Sequence, residues 1–112
     1  CALPISDFLA EELQSLLGKI YDPDPDERIF STVTSSRLYT AIQKGAEATG
    51  VKRIRVHDLR HSHVSLLINL DFPPLLIAER IGDSVDMVNR IYGHLYPSRH
   101  KEVAAKLEQF KL

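Results

Sequence analysis

The sequence predicts a mainly α fold with little or no β-sheet, and three observations carry that expectation. Apolar residues recur at three- and four-residue spacing in six segments. Most of those segments open at a Ser, Thr or Asp or close at a Gly or Pro, the residues that satisfy or terminate helix ends. The one apolar stretch outside them, Ile29, Phe30 and Val33, is too brief to make a sheet by itself. At 112 residues and 44% hydrophobic content, the chain is read as a single domain, residues 1–112, able to bury one modest core.

The elements follow in order. "ISDFLAEELQSLLGKIY" offers Ser6 or Asp7 as N-cap, with Phe8, Leu9, Leu13, Leu16 and Leu17 at helical spacing up to Gly18. Residues 22 to 28, "DPDPDER", form an acidic, proline-broken loop. "TSSRLYTAIQKGAEATG" has Thr34 or Ser35 as cap, Leu38, Ile42 and Ala46 as its expected buried stripe, and Gly50 as its stop. The basic connector "VKRIR" leads to "HDLRHSH", which opens a helix continued by Val64, Leu66, Leu67, Ile68 and Leu70 and stopped at Pro73 and Pro74. "LLIAERIG" makes a short helix ended by Gly82. "SVDMVNRIYGHLY" makes another, ended by Pro97, with Val85, Val88, Tyr92 and Leu95 on one stripe. In "SRHKEVAAKLEQF", Val103, Leu107 and Phe110 fall on one side, to pack on a neighbouring protomer or fold back on the chain's own core.

Composition excludes several classes. The single cysteine, Cys1, permits no intrachain disulfide and suits a reducing cytoplasm; nothing suggests that it is chemically active. No apolar run approaches the roughly 20 residues of a membrane helix, and no signal-peptide pattern opens the chain, so a soluble, cytoplasmic protein with no membrane partner is expected. Fourteen Lys and Arg stand against fifteen Asp and Glu. A nucleic-acid role must therefore rest on where the basic residues lie, not on net charge.

"HDLRHSH" is the densest chemical signal, with three histidines, an arginine and an aspartate in residues 57 to 63. Neighbours on a helix are three and four apart, so His57, Arg60 and His61 can converge on one ligand. A metal is one reading, since His57 and His61 are spaced as in the zinc motif HExxH. Asp58 is shorter than the Glu of that motif, Arg60 would set a positive charge beside the cation, and no third ligand stands out among His94, His100 and Asp83. No metal is expected. A polar helix start, with His63 turned inward or capped and Asp58 as a dipole-stabilising acid, is the bland alternative. A phosphate clamp is the third reading, because a guanidinium can hold two oxygens at once and an adjacent imidazole can donate or exchange a proton.

A second segment favours the phosphate. Tyr92 lies 32 residues after Arg60, on a helix that follows the Gly-centred turn "IGD". In these residues the sequence resembles the tyrosine recombinase, or phage integrase, family, especially the integrases of conjugative transposons. That family carries His-x-x-Arg at a helix start, then a Leu-Gly-His turn, then a Tyr nine residues beyond that His. Here "HDLR" supplies His57 and Arg60, Tyr92 falls nine residues after Asp83, and Asp83 stands where the second histidine is expected. The specific part of the resemblance is residues 53 to 96, within a likeness running from about Ile5 to the C-terminus.

The resemblance implies site-specific DNA recombination through a covalent phosphotyrosine, with His57, Arg60 and Tyr92 as catalytic residues and double-stranded DNA as partner. The phosphotyrosyl ester would preserve the energy of the phosphodiester, so rejoining would require neither ATP nor a metal, and no cofactor is expected. Tyr96 is the rival nucleophile, and it lacks the spacing. An ionised Asp83 would repel the phosphate and weaken catalysis. The resemblance also calls for an upstream arginine and a lysine on a β-hairpin. Their absence predicts that the chain is the C-terminal, helical part of the catalytic domain, inactive and monomeric by itself and joined by other integrase protomers on DNA in its longer parent. The alternative is a non-catalytic helical DNA-binding module. In either case Lys52, Arg53 and Arg55 in the connector, and Arg99 after Pro97, are the expected phosphate contacts.

Overall fold

The structure, a computed structural model, describes residues 3–111. Cys1 lies outside them. Among the described residues there are six α-helices, one 3-10 turn and no strand, so the mainly helical expectation holds. The chain divides into two compact units, Cys1–Val56 and His57–Leu112.

In the first unit, α1 spans Asp7–Gly18 and α2 spans Ser35–Thr49. Each begins where a side-chain oxygen satisfies a free amide of the first turn. The Ser6 hydroxyl accepts from the Leu9 N–H at 3.3 Å, and that of Thr34 accepts from Arg37 N–H at 3.2 Å. Gly50 ends α2 in the left-handed region, at φ 74°. The expected stripe on α2 is only partly covered. Ala46 is buried and Ile42 half-buried, but Leu38 remains 43% exposed, which corrects its assignment as a buried residue. Helical spacing identifies an apolar face; it does not supply what covers that face.

The second unit holds the core. It contains α3 (Val56–Asn69, beginning one residue before the division), α4 (Pro74–Ile81), α5 (Val85–Tyr92), a 3-10 turn (Gly93–Leu95) and α6 (His100–Glu108). α3 closes with paired bonds, Phe72 N–H to Leu67 C=O at 3.2 Å and Asp71 N–H to Ile68 C=O at 2.9 Å. Asp71 takes the left-handed position, φ 68°, more often filled by glycine. Pro74 then starts α4, where its missing N–H costs nothing. Gly82 at φ 70° ends α4, and the Ser84 hydroxyl caps α5 by accepting from the Met87 N–H at 3.1 Å. Val64 and Ile68 of α3, Ile77 and Ala78 of α4, and Val88 and Tyr92 of α5 form the buried cluster. Leu67, Ile81, Val85 and Tyr96 pack against it.

One expectation changes here, and one open alternative closes. The helix opened by Ser84 does not run to Pro97 as a single α-helix, because it tightens to a 3-10 turn after Tyr92. The tighter winding takes Leu95 out of the stripe, leaving it 41% exposed, and brings Tyr96 against the core instead. The alternative that closes concerns α6. Its apolar side does not fold back on the core: Val103, Leu107 and Phe110 are 54%, 65% and 80% exposed.

α6 is instead fastened at its start by charge. Arg99 Nη2 lies 2.7 Å from a Glu102 carboxylate oxygen, and Nη1 lies 3.3 Å from Asp71. The hydrogen bond from Arg99, and then its charge, hold the Glu102 carboxyl below its usual range. This contact is fully present above the ordinary carboxylate pKa and is lost as pH falls through the lowered value.

Candidate active site

The site is built on one face of α3. Residues 57, 61, 64 and 68 recur at four, three and four positions, so His57 and His61 continue, toward the helix start, the stripe that Val64 and Ile68 bury. His57 is exposed and His61 half-buried. Their rings meet edge to face, centroids 4.8 Å apart. Tyr92 ends α5 on the stripe of Val85 and Val88, which puts its ring in the core at 7% exposure. Its hydroxyl reaches His61 Nδ1 at 2.5 Å. His61, one of the three residues that helical spacing lets converge, therefore has a specific contact. His63 does not turn inward, as one alternative had it; it is exposed.

Arg60 lies one position before His61, about 100° around the helix, and reaches a different group. Its guanidinium is 3.6 Å from the Asp83 carboxylate. The other Asp83 oxygen accepts from the Ser84 N–H at 2.8 Å, which fixes the carboxylate in the turn between α4 and α5. Both members of the pair are partly open to solvent, at 38% and 34% exposure. A pair so exposed contributes about 1 kcal/mol or less, and a competing anion can open it.

Tyr96 is held differently from Tyr92. Its hydroxyl donates to the Phe72 carbonyl at 3.3 Å, and burial raises its pKa. A carbonyl oxygen can only accept a hydrogen bond, whereas a ring nitrogen of an imidazole such as the one facing Tyr92 can donate or accept one. The two tyrosines, close in sequence, thus differ in the chemistry their surroundings permit.

Comparison with known proteins finds sequence similarity to proteins named as integrases. The ICEBs1 integrase of Bacillus subtilis is 52% identical over 56 residues, covering 49% of this chain and 15% of that protein. A protein named as the prophage phiRv2 integrase of Mycobacterium tuberculosis is 28% identical over 114 aligned positions, covering 96% of this chain and 30% of that protein. The integrase of Salmonella phage P22 is 34% identical over 70 residues, covering 62% and 18%. The chain is similar in sequence to these proteins named as integrases. It spans between 15% and 30% of the length of these integrases. No family model matches the chain, and no solved structure does.

The remaining residues considered for an integrase role have individual surroundings. In the first unit, Lys52 is exposed, and Arg53 hydrogen-bonds the Tyr39 hydroxyl while its guanidinium lies 4.9 Å from the centre of the Tyr39 ring. Arg55 is exposed and engaged. In the second unit, Arg99 is committed to Glu102 and Asp71, so its guanidinium reaches a phosphate only by giving up those partners. Among the described residues no three His, Cys, Asp or Glu side chains are grouped to hold a metal. None of their helices is long and apolar enough to cross a membrane. Sequence reasoning left out the partners, His61 for Tyr92 and Asp83 for Arg60. The continuation of the Val64 and Ile68 stripe back to His61 was the available signal for the first.

Proposed function

We propose that this chain carries part of the active site of a tyrosine-type site-specific DNA recombinase. The observation that carries the reading is the gathering, in one compact unit, of an arginine and two histidines at the start of α3 with the Tyr92 hydroxyl at the end of α5. Integrase relatives lend DNA recombination as the setting.

In this reading Arg60 binds the nonbridging oxygens of a DNA phosphodiester and offsets the charge that builds as the phosphorus is attacked. His57 donates to the phosphate or exchanges a proton with it. Tyr92 attacks, forming a phosphotyrosine that a second DNA strand then resolves. Because one phosphoester replaces another, the bond energy is conserved and strand rejoining needs no nucleotide triphosphate. Lys52, Arg53 and Arg55 contribute sequence-independent attraction to DNA. On DNA the protein works with further protomers.

The test is adduct formation by the longer integrase that contains this chain. Incubated with a nicked duplex spanning its recombination site, it should give a covalent band in denaturing electrophoresis. The chain of residues 1–112 should give none and remain monomeric. The family resemblance calls for two further cationic groups that none of its residues is assigned to supply, and losing even one such donor costs on the order of a hundredfold in rate. The burial of the Tyr92 ring favours one other reading, a non-catalytic helical module that binds DNA. DNA binding by the longer protein without any covalent band would support it.

Asp83 gives a separate expectation. Asp83→His removes the carboxylate beside Arg60 and adds a donor near the phosphate, so the rate of adduct formation should rise or stay level. A large fall would show that the Asp83 contact to the Ser84 amide, which holds the start of α5, outweighs the repulsion.

A further inference from the structure

We propose that His61 is the base that takes the phenolic proton of Tyr92 when the tyrosine attacks, a role distinct from that of His57. The inference rests on the recombinase reading above. Three observations carry it. The imidazole nitrogen within hydrogen-bond reach of the Tyr92 hydroxyl is Nδ1 of His61, at 2.5 Å. His61 is half-buried on the core-facing stripe of α3, so packing fixes the ring where an exposed side chain would wander. Arg60 and His61 are successive residues aimed about 100° apart, so the anion clamp and the proton acceptor address different sides of the reacting group.

The balance of the step is simple. Neutral His61 carries its ring proton on Nε2 and accepts the Tyr92 hydrogen bond at Nδ1. As the Oη–P bond forms, the phenolic proton passes to Nδ1 and His61 becomes imidazolium. The bond from phosphorus to the departing sugar oxygen breaks, the electron pair leaves with that oxygen, and the oxygen takes a proton from water. In rejoining, an incoming sugar hydroxyl attacks the phosphotyrosine and gives its proton to water, while Nδ1–H returns a proton to the departing Tyr92 oxygen. Among the described residues the groups recorded against His61 are the His57 ring and Tyr92 from α5, and the charged Asp58 and Arg60 lie within a turn of it along α3.

The experiment measures single-turnover adduct formation against pH in the longer integrase, with the nicked recombination-site duplex as probe. The wild-type rate should rise as the pH is raised from acid, because a protonated imidazole cannot take the phenolic proton. His61→Asn, which keeps a small hydrogen-bonding group near Nδ1 but cannot take a proton, should lower the rate on the order of a hundredfold or more and lose that rise. His57→Asn should lower the rate and keep it. A rise that persists in His61→Asn overturns the inference, as does one that disappears only in His57→Asn. Nitrogen-15 imidazole spectra of wild-type residues 1–112 supply a readout that does not depend on how the variants fold. An Nε2–H tautomer is expected for His61; an Nδ1–H tautomer overturns the inference. Absence of any Tyr92-dependent adduct from the wild-type protein would defeat the recombinase reading itself, an outcome separate from these.

Discussion

In the recombinase reading, Tyr92→Phe should abolish the covalent protein–DNA adduct of an integrase that contains residues 1–112, while Tyr96→Phe should leave it in place. The substitution removes the phenolic oxygen that the recombinase reading makes the nucleophile, and little else. The ring stays in the core with Val88 and Ile77, and the lost hydrogen bond to His61 should cost about 1 kcal/mol, too little to unfold the unit. Loss of the adduct with an unchanged helical circular dichroism spectrum would therefore report chemistry and not collapse. Tyr96→Phe deletes a hydroxyl held by the Phe72 carbonyl, a contact that anchors the chain after the 3-10 turn. If Tyr96→Phe abolishes the adduct and Tyr92→Phe retains it, the nucleophile has been misassigned.

Ile77→Ala should be the most damaging single change to stability. Ile77 is completely buried, between the α3 residues Val64 and Ile68 and the α5 residues Val88 and Tyr92. Truncations of this kind cost about 2–5 kcal/mol, the transfer term plus the cavity left behind. A unit the size of His57–Leu112 has roughly 3–8 kcal/mol in all. Urea denaturation should show most of its stability gone, whereas Ile77→Val should cost about 0.5–1.5 kcal/mol. Leu107→Ala, at a position 65% exposed, provides the control and should change little. A loss below about 1 kcal/mol for Ile77→Ala would mean that α4 does not close this core.

What could be read from the sequence was what depends on neighbours along the chain. Ser6, Thr34 and Gly50 mark helix ends because capping is settled within a turn. The spacing of Val85 with Val88 and Tyr92 gave one of the faces that meet. The pairing of such faces with distant partners was much less legible. Nothing local distinguishes Leu38, which stays exposed, from Ala46, which is covered. Asp71 in a left-handed turn was hidden because that position is commonly a glycine. In the site, His57, Arg60 and Tyr92 stood out by residue type, by spacing and by the family they resemble. The ties of Arg60 to Asp83 and of Tyr92 to His61 join residues more than twenty positions apart, beyond the reach of any periodicity.

Those separations bear on how the site comes into being. His61 and Tyr92 are 31 residues apart, Asp71 and Arg99 28, Phe72 and Tyr96 24, and Arg60 and Asp83 23 (83 minus 60). The entropy of closing a loop grows only with the logarithm of its length, so the longest and shortest of these closures differ by about 0.3 kcal/mol. Chain length thus gives none of them precedence. Each becomes favourable once α3, α4 and α5 dock on the same apolar residues, and the contacts of Arg60, His61 and Tyr92 should be acquired together in a single cooperative folding event.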